Sequence, residues 1–149
     1  MRLAEIEIVK LFPQHVVHGG ALDQPKEKST ITAIGRNPMY ENKVKSALRQ
    51  GRASIGTFMF EFDSTGIARI AADAGAEFAL FDMEHTGWSV ETIRRLIATS
   101  RSAEIVPMVR VPAAEYHFIA RVLDMGARVV MVPMVGSAEQ AHTIVQSAK

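Results

Sequence analysis

Four short apolar runs, ASIGTFMF, EFALFD, PMVRVP and RVVMVPM, recur between residues 53 and 134, and a stretch of helical spacing follows each one. The runs are nearly continuous in apolar residues rather than alternating. That pattern suits parallel strands covered on both faces, which need helical crossovers between them. The intervening segments supply those helices. DSTGIARIAADAG opens on Asp63 and Ser64 as candidate N-caps and stops at Gly75. SVETIRRLIATS has Ser89 as its cap and places Val90, Ile93, Leu96 and Ile97 on one face. AAEYHFIARVLDMG stops at Gly126, and SAEQAHTIVQSAK forms a last helix. Pro107 fits PMVRVP only as the first residue of its strand. A leading helix over YENKVKSALRQG, closed by Gly51, precedes the series.

The rhythm is strand then helix, four times, which defines an α/β fold. ADAGAEFALFDM and LDMGARVVMVPM echo one another: each ends a helix in Asp-x-Gly-Ala and begins an apolar strand. An echo two units apart fits a repeated βα architecture, but leaves a barrel and an open doubly wound sheet both available. No strand runs into G-x-G-x-x-G or a phosphate-cradling G-x-x-x-x-G-K-[ST], and VHGGAL matches neither, which weighs against a nucleotide-binding sheet. A full barrel of eight units takes about 250 residues, so four units make half of one.

Residues 1–38 differ from the rest. FPQ, HGG, DQPKEKS and RNP are turn and breaker signals without a sustained period, and only Ile6 to Phe12 suggests a short element. The expectation is an irregular extension over 1–38 that adds little to the core, and a regular βα unit over 39–149.

Charge and composition exclude several classes. With 17 basic and 16 acidic residues the formal charge is +1, so nothing marks a nucleic-acid face. No run reaches membrane-spanning length, and Glu5, Glu7 and Lys10 interrupt any signal-like core at the start. The chain has no cysteine, hence no disulfide, thiolate nucleophile or Cys-ligated zinc; a cytoplasmic location agrees with this.

Parallel α/β folds place chemistry at the carboxyl ends of their strands. There the first run delivers Phe58, Phe60 and Glu61, the second Asp82, Glu84 and His85, the third Arg110, and the fourth Pro133 and Met134. Arg110 is conspicuous between Val109 and Val111, because a guanidinium in an apolar strand needs an anion, and its planar fork suits a carboxylate or an enolate oxygen. Taken singly, each residue has an ordinary explanation: Asp82 as a loop or cap residue, His85 as a loop histidine, Arg110 as a structural partner of Glu84, Asp124 as a surface carboxylate. Their joint placement favours a site. His15 and His18 do not make a metal site, His117 and His142 read as surface residues, and Trp88 reads as a packing residue.

GTFMFEFDS, LFDMEHTGWSVETIRRLI, PMVRVP and VLDMGARVVMVPMVGSAEQA together resemble the HpcH/HpaI family, metal-dependent class II pyruvate aldolases of the 4-hydroxy-2-oxoheptanedioate aldolase type. The likeness runs from about Tyr40 to Lys149; it implies that 39–149 is the N-terminal half of an aldolase barrel and, since Met39 sits where family members would start, that 1–38 comes from a misplaced start. It implies a partial (β/α)8 TIM barrel and a carbon–carbon lyase, or its reverse, acting beside a pyruvate unit. It casts His85 as general base through a water, Asp124 as the carboxylate that orients His85, and Arg110 as the group binding the pyruvate oxygen and the enolate. Asp82 and Glu84 take supporting places beside a metal centre. Phe58 stands where many members carry tryptophan.

The resemblance further implies a divalent cofactor, magnesium, manganese or cobalt, held by a glutamate and an aspartate on the fifth and sixth strands. Those strands lie beyond Lys149, so no metal ligand is expected among these residues. Partners would be a small 2-oxo acid, an aldehyde and further copies of the chain, hexameric in the family, with a role in aromatic compound catabolism. Two other readings stand beside this one: an inactive half-barrel that associates with itself or with a partner fragment, and a CoA-thioester lyase of the citrate lyase type.

Overall fold

The structure is a computed structural model and describes residues 42–149. Expectations for residues 1–38, including the short element at Ile6 to Phe12, lie outside the described residues.

The leading helix α1 (Lys43–Arg49) starts at Asn42, whose side chain accepts the Lys45 backbone N–H. Then β1 (Gly56–Met59), α2 (Ile67–Asp73), β2 (Phe78–Asp82), α3 (Val90–Ser102), β3 (Val106–Arg110), α4 (Tyr116–Asp124), β4 (Val129–Met131) and α5 (Ala138–Ser147) alternate. The four strands pair in parallel in the order β1-β2-β3-β4. A doubly wound sheet reverses its strand order and carries crossover helices on both faces. Here the order never reverses. Outward-facing Met59, Ala79, Phe81, Val109 and Val130 share one core with Ala68 and Ala71 of α2, Ile93, Leu96 and Ile97 of α3, Ile119 and Val122 of α4, and Ile144 of α5. The opposite face, with Phe58, Leu80, Met108 and Val129, packs only against Val44 of α1 among the described residues. Crossover helices on one side and a single helix under the other make this a part of a (β/α)8 barrel, as expected.

The turns into the strands are alike. At the end of α2 the N–H of Gly75 bonds to Ala72 O and that of Ala76 to Ala71 O; at the end of α4 Gly126 bonds to Leu123 O and Ala127 to Val122 O. Both are Schellman ends, and both glycines take the left-handed conformation this requires, φ 92° and 105°. At the end of α3 Glu104 bonds to Arg101 O and Ile105 to Ser100 O, but a glutamate holds the left-handed position at φ 56°.

Two local expectations are corrected. Neither Asp63 nor Ser64 caps α2; its N-cap is Gly66, which has no side-chain bond to give, and Ser64 instead accepts the Ile67 N–H through its backbone carbonyl. Pro107 is the second residue of β3, not the first. It is tolerated because Val106 N–H bonds toward β2, at Glu77 O, while the position-107 N–H would face β4. The β4 ladder begins only opposite Met108, so no ladder bond is lost. Ser89 caps α3 as expected, accepting the Thr92 N–H. No helix among the described residues is long and apolar enough to cross a membrane.

Candidate active site

Strand alternation decides which residues reach the barrel mouth. In β2 Phe81 points into the helix-covered core, Asp82 points inward, and Met83 turns back into the core, half a turn of pleat before Glu84. One methionine therefore separates the carboxylates so that both emerge on the same side. Met83 also extends the ladder, its N–H bonding to Arg110 O. Asp82 and Arg110 are direct cross-strand neighbours, each the last residue of its strand.

Asp82 is fully buried and organises what surrounds it. Arg110 donates to it twice, Nε to Oδ1 at 2.6 Å and an Nη to Oδ2 at 2.9 Å. The Glu84 and His85 backbone N–H groups donate to the same two oxygens, each at 3.0 Å. The Thr86 hydroxyl donates to the Asp82 carbonyl at 2.5 Å and accepts from Trp88 N–H, which folds the loop back toward α3. Burial pushes the Asp82 carboxyl up, but the hydrogen bonds from Arg110, Glu84 and His85, with the arginine charge, outweigh it and hold Asp82 below the usual carboxylate range. The hydrogen bond to Asp82 in turn raises Arg110, so the cation is permanent.

Glu84 Oε2 lies 3.2 Å from Arg110 Nε and 3.6 Å from His85 Nε2. Arg110 is thus fixed by two carboxylates while His85, with a side chain two-thirds exposed, stands at the mouth against Glu84. The rings of Phe58 and Phe60 stack 4.4 Å apart at 8°, and the Arg110 guanidinium lies 4.7 Å from the centre of the first. Cation–π contact of this kind restrains the planar group further.

The structure therefore gathers Asp82, Glu84, His85 and Arg110 at one end of the sheet. It corrects one pairing: the principal partner of Arg110 is Asp82, not Glu84 alone, because register sets the two strand ends side by side. Within a single chain it does not bring Asp124 to His85, the dyad expected from the resemblance. Asp124 is exposed at the carboxyl end of α4, five residues before Val129 opens β4. Crossover helices run antiparallel to the strands, so that end of α4 lies at the strands' amino ends, a strand length of roughly 17 Å from His85. Within the chain the carboxylate beside His85 is Glu84.

The aromatic stack behind Arg110 was not read from the sequence, although Phe58 and Phe60 at i, i+2 in a strand carry that signal. Trp88 packs against the core, and His117 and His142 are exposed, as expected.

The described residues do not fit a divalent metal by themselves. Both Asp82 oxygens are committed to four donors and Glu84 is shared between two cations or donors, while a hard cation asks for about six oxygen ligands. No three His, Asp or Glu side chains among the described residues gather to hold one. A fixed guanidinium can bind an anion, and an exposed imidazole can carry a proton.

A buried ion pair, an exposed imidazole and a fixed guanidinium stand together at the carboxyl ends of parallel strands, the end at which barrel proteins carry their sites. A family model described as HpcH/HpaI aldolase/citrate lyase matches residues 56–149, and the chain belongs to that family. A hydroxypyruvate/pyruvate aldolase of Roseobacter denitrificans is 35% identical over 108 residues, 72% of this chain and 42% of that protein. A 4-hydroxy-2-oxovalerate aldolase of Novosphingobium aromaticivorans is 38% identical over 112 residues, 72% of this chain and 41% of that protein. Among solved structures, an HpcH/HpaI aldolase from Desulfitobacterium hafniense DCB-2 matches with a TM-score of 0.68 at 32% identity, over 71% of this chain and 41% of that one. The citrate synthase SbnG matches with a TM-score of 0.66 at 34% identity, over 70% and 42% of the two chains. The chain spans about two fifths of the length of these relatives.

Proposed function

We propose that this chain supplies the oxo-acid-binding and proton-transfer part of a carbon–carbon lyase acting beside a pyruvate unit. The observation that carries this reading is the Arg110 guanidinium, held rigidly by Asp82 and Glu84 with His85 on the other side of Glu84. In the cleavage direction His85 takes the proton of the C4 hydroxyl, directly or through a water. The C3–C4 bond breaks, the aldehyde departs, and the electron pair passes into the pyruvate enolate. Arg110, already aimed and not needing to reorganise, stabilises the C2 oxyanion. A proton then returns to C3. Glu84, 3.6 Å from His85 Nε2, orients the imidazole. Relatives named hydroxypyruvate/pyruvate and 4-hydroxy-2-oxovalerate aldolases support this donor over a CoA thioester.

A divalent ion belongs to this reading as the family's Lewis acid, with its ligands outside the described residues. Asp124 reaches His85 only from a second copy of the chain, so homo-oligomerisation is part of the proposal.

Pyruvate titrated into the protein should perturb the Arg110 Nε–H and His85 ring resonances, and Arg110→Ala should abolish the effect. Pyruvate release from a 4-hydroxy-2-oxo acid, with added magnesium, manganese or cobalt, is expected to be weak for this chain alone. His85→Ala should keep pyruvate binding and lower the release that remains by about 100-fold or more. Pyruvate that leaves Arg110 unperturbed would sink the reading.

A further inference from the structure

The aromatic pair at the mouth is larger than Arg110 requires. Phe58 alone lies against the guanidinium at 4.7 Å; Phe60 is 5.9 Å away and adds little to holding it. Phe60 nonetheless stacks flat on Phe58, remains 44% exposed, and sits one position past the end of β1, level with Asp82 and Arg110 in the neighbouring strands. The flat ring surface and the fixed cation are a few ångströms apart, the spacing of the two ends of a short aryl aldol.

We propose that Phe60 is a specificity-determining residue, whose ring receives a planar aromatic group on the aldehyde partner while Arg110 holds the oxo acid. This inference rests on the oxo-acid reading of Arg110 and deepens it. A stacked aryl group gains about tenfold in affinity over a methyl group, the size of an offset aromatic pair. Pyruvate alone does not reach Phe60.

The test compares three probes on the full chain by NMR titration: pyruvate, 4-hydroxy-4-phenyl-2-oxobutanoate and 4-hydroxy-2-oxopentanoate. The last two share the oxo-acid end, so their affinity ratio isolates the aryl group. The ratio should be about tenfold in favour of the phenyl adduct and fall to about twofold in Phe60→Ala. Phe60→Leu, which keeps apolar bulk without a π face and guards against misfolding of the alanine variant, should fall between. Pyruvate binding with a ratio near one in the native protein would overturn the aromatic subsite and leave the oxo-acid reading standing. A tenfold ratio that persists in both Phe60 variants would also overturn it. Absence of pyruvate binding would overturn both.

Discussion

The ends of β2 and β4 begin alike and finish differently. Each strand follows a helix closed by Asp-x-Gly-Ala in a Schellman turn, and each is an apolar run in the same sheet. β2 ends in Asp82, buried and bonded four times, with Glu84 and His85 just beyond. β4 ends in Met131, followed by Pro133 and Met134, the last 89% exposed in a left-handed conformation at φ 55°. The repeated part lies at the amino ends of the strands and holds the fold together. The part that differs lies at the carboxyl ends, where a barrel can change chemistry without rebuilding its core.

The largest expected effect is at the strand end that carries charge. Asp82→Ala leaves Arg110 part-buried with Glu84 as its remaining carboxylate and frees two backbone N–H groups, and should cost about 3 kcal/mol in urea unfolding. Met131→Ala, at the matching height in β4 and half-buried, should cost about 1 kcal/mol. Equal costs would erase the contrast between the two ends.

Acid sharpens it. The Asp82 pKa is lower folded than unfolded, so its contribution is fully present above the unfolded carboxylate value and is lost as pH falls through the lower folded one. Stability should therefore drop below about pH 4, with a shallower drop in Asp82→Asn. Glu77, held low by hydrogen bonds from Arg52 and Ser54, titrates in the same window and leaves a residual slope. An unchanged acid limb in Asp82→Asn would show that the ion pair does not set it.

The shared amino ends should respond as a pair. Gly75→Ala and Gly126→Ala each force a Cβ into the left-handed region and should cost about 1 kcal/mol. The added methyl at Gly126 also meets the Arg101 guanidinium, an exposed and flexible group that can swing aside. A several-fold larger cost at one glycine would mean that the echo is only in the sequence. The smallest effect is at the end of α3: Glu104→Gly should stabilise the protein by about 0.5 kcal/mol, because it removes left-handed strain that the other two turns avoid.

Much of this was legible in the residues. Apolar runs fix strands, and caps such as Ser89 and glycines such as Gly75 and Gly126 fix helix limits, because each acts within a few residues of chain. The same locality explains the misses at α2 and Pro107. Ser64 can cap a helix or close a turn, and which it does depends on where α2 meets the sheet. A proline in a strand is acceptable or not according to where the neighbouring strand starts.

The sequence by itself determined that the chain forms βα units, and that Asp82, Glu84, His85 and Arg110 share the carboxyl ends of strands. The first follows from continuous apolar runs separated by segments of helical spacing, the second from where polar residues break off those runs. Only the tertiary structure decided that Asp82, not Glu84, is the chief anion of Arg110. It alone set Phe60 flat on Phe58 beside that arginine and put Asp124 at the far end of the barrel from His85. Pairings of that kind depend on strand register and helix direction, and these are fixed when residues 28 or more positions apart come together in one sheet.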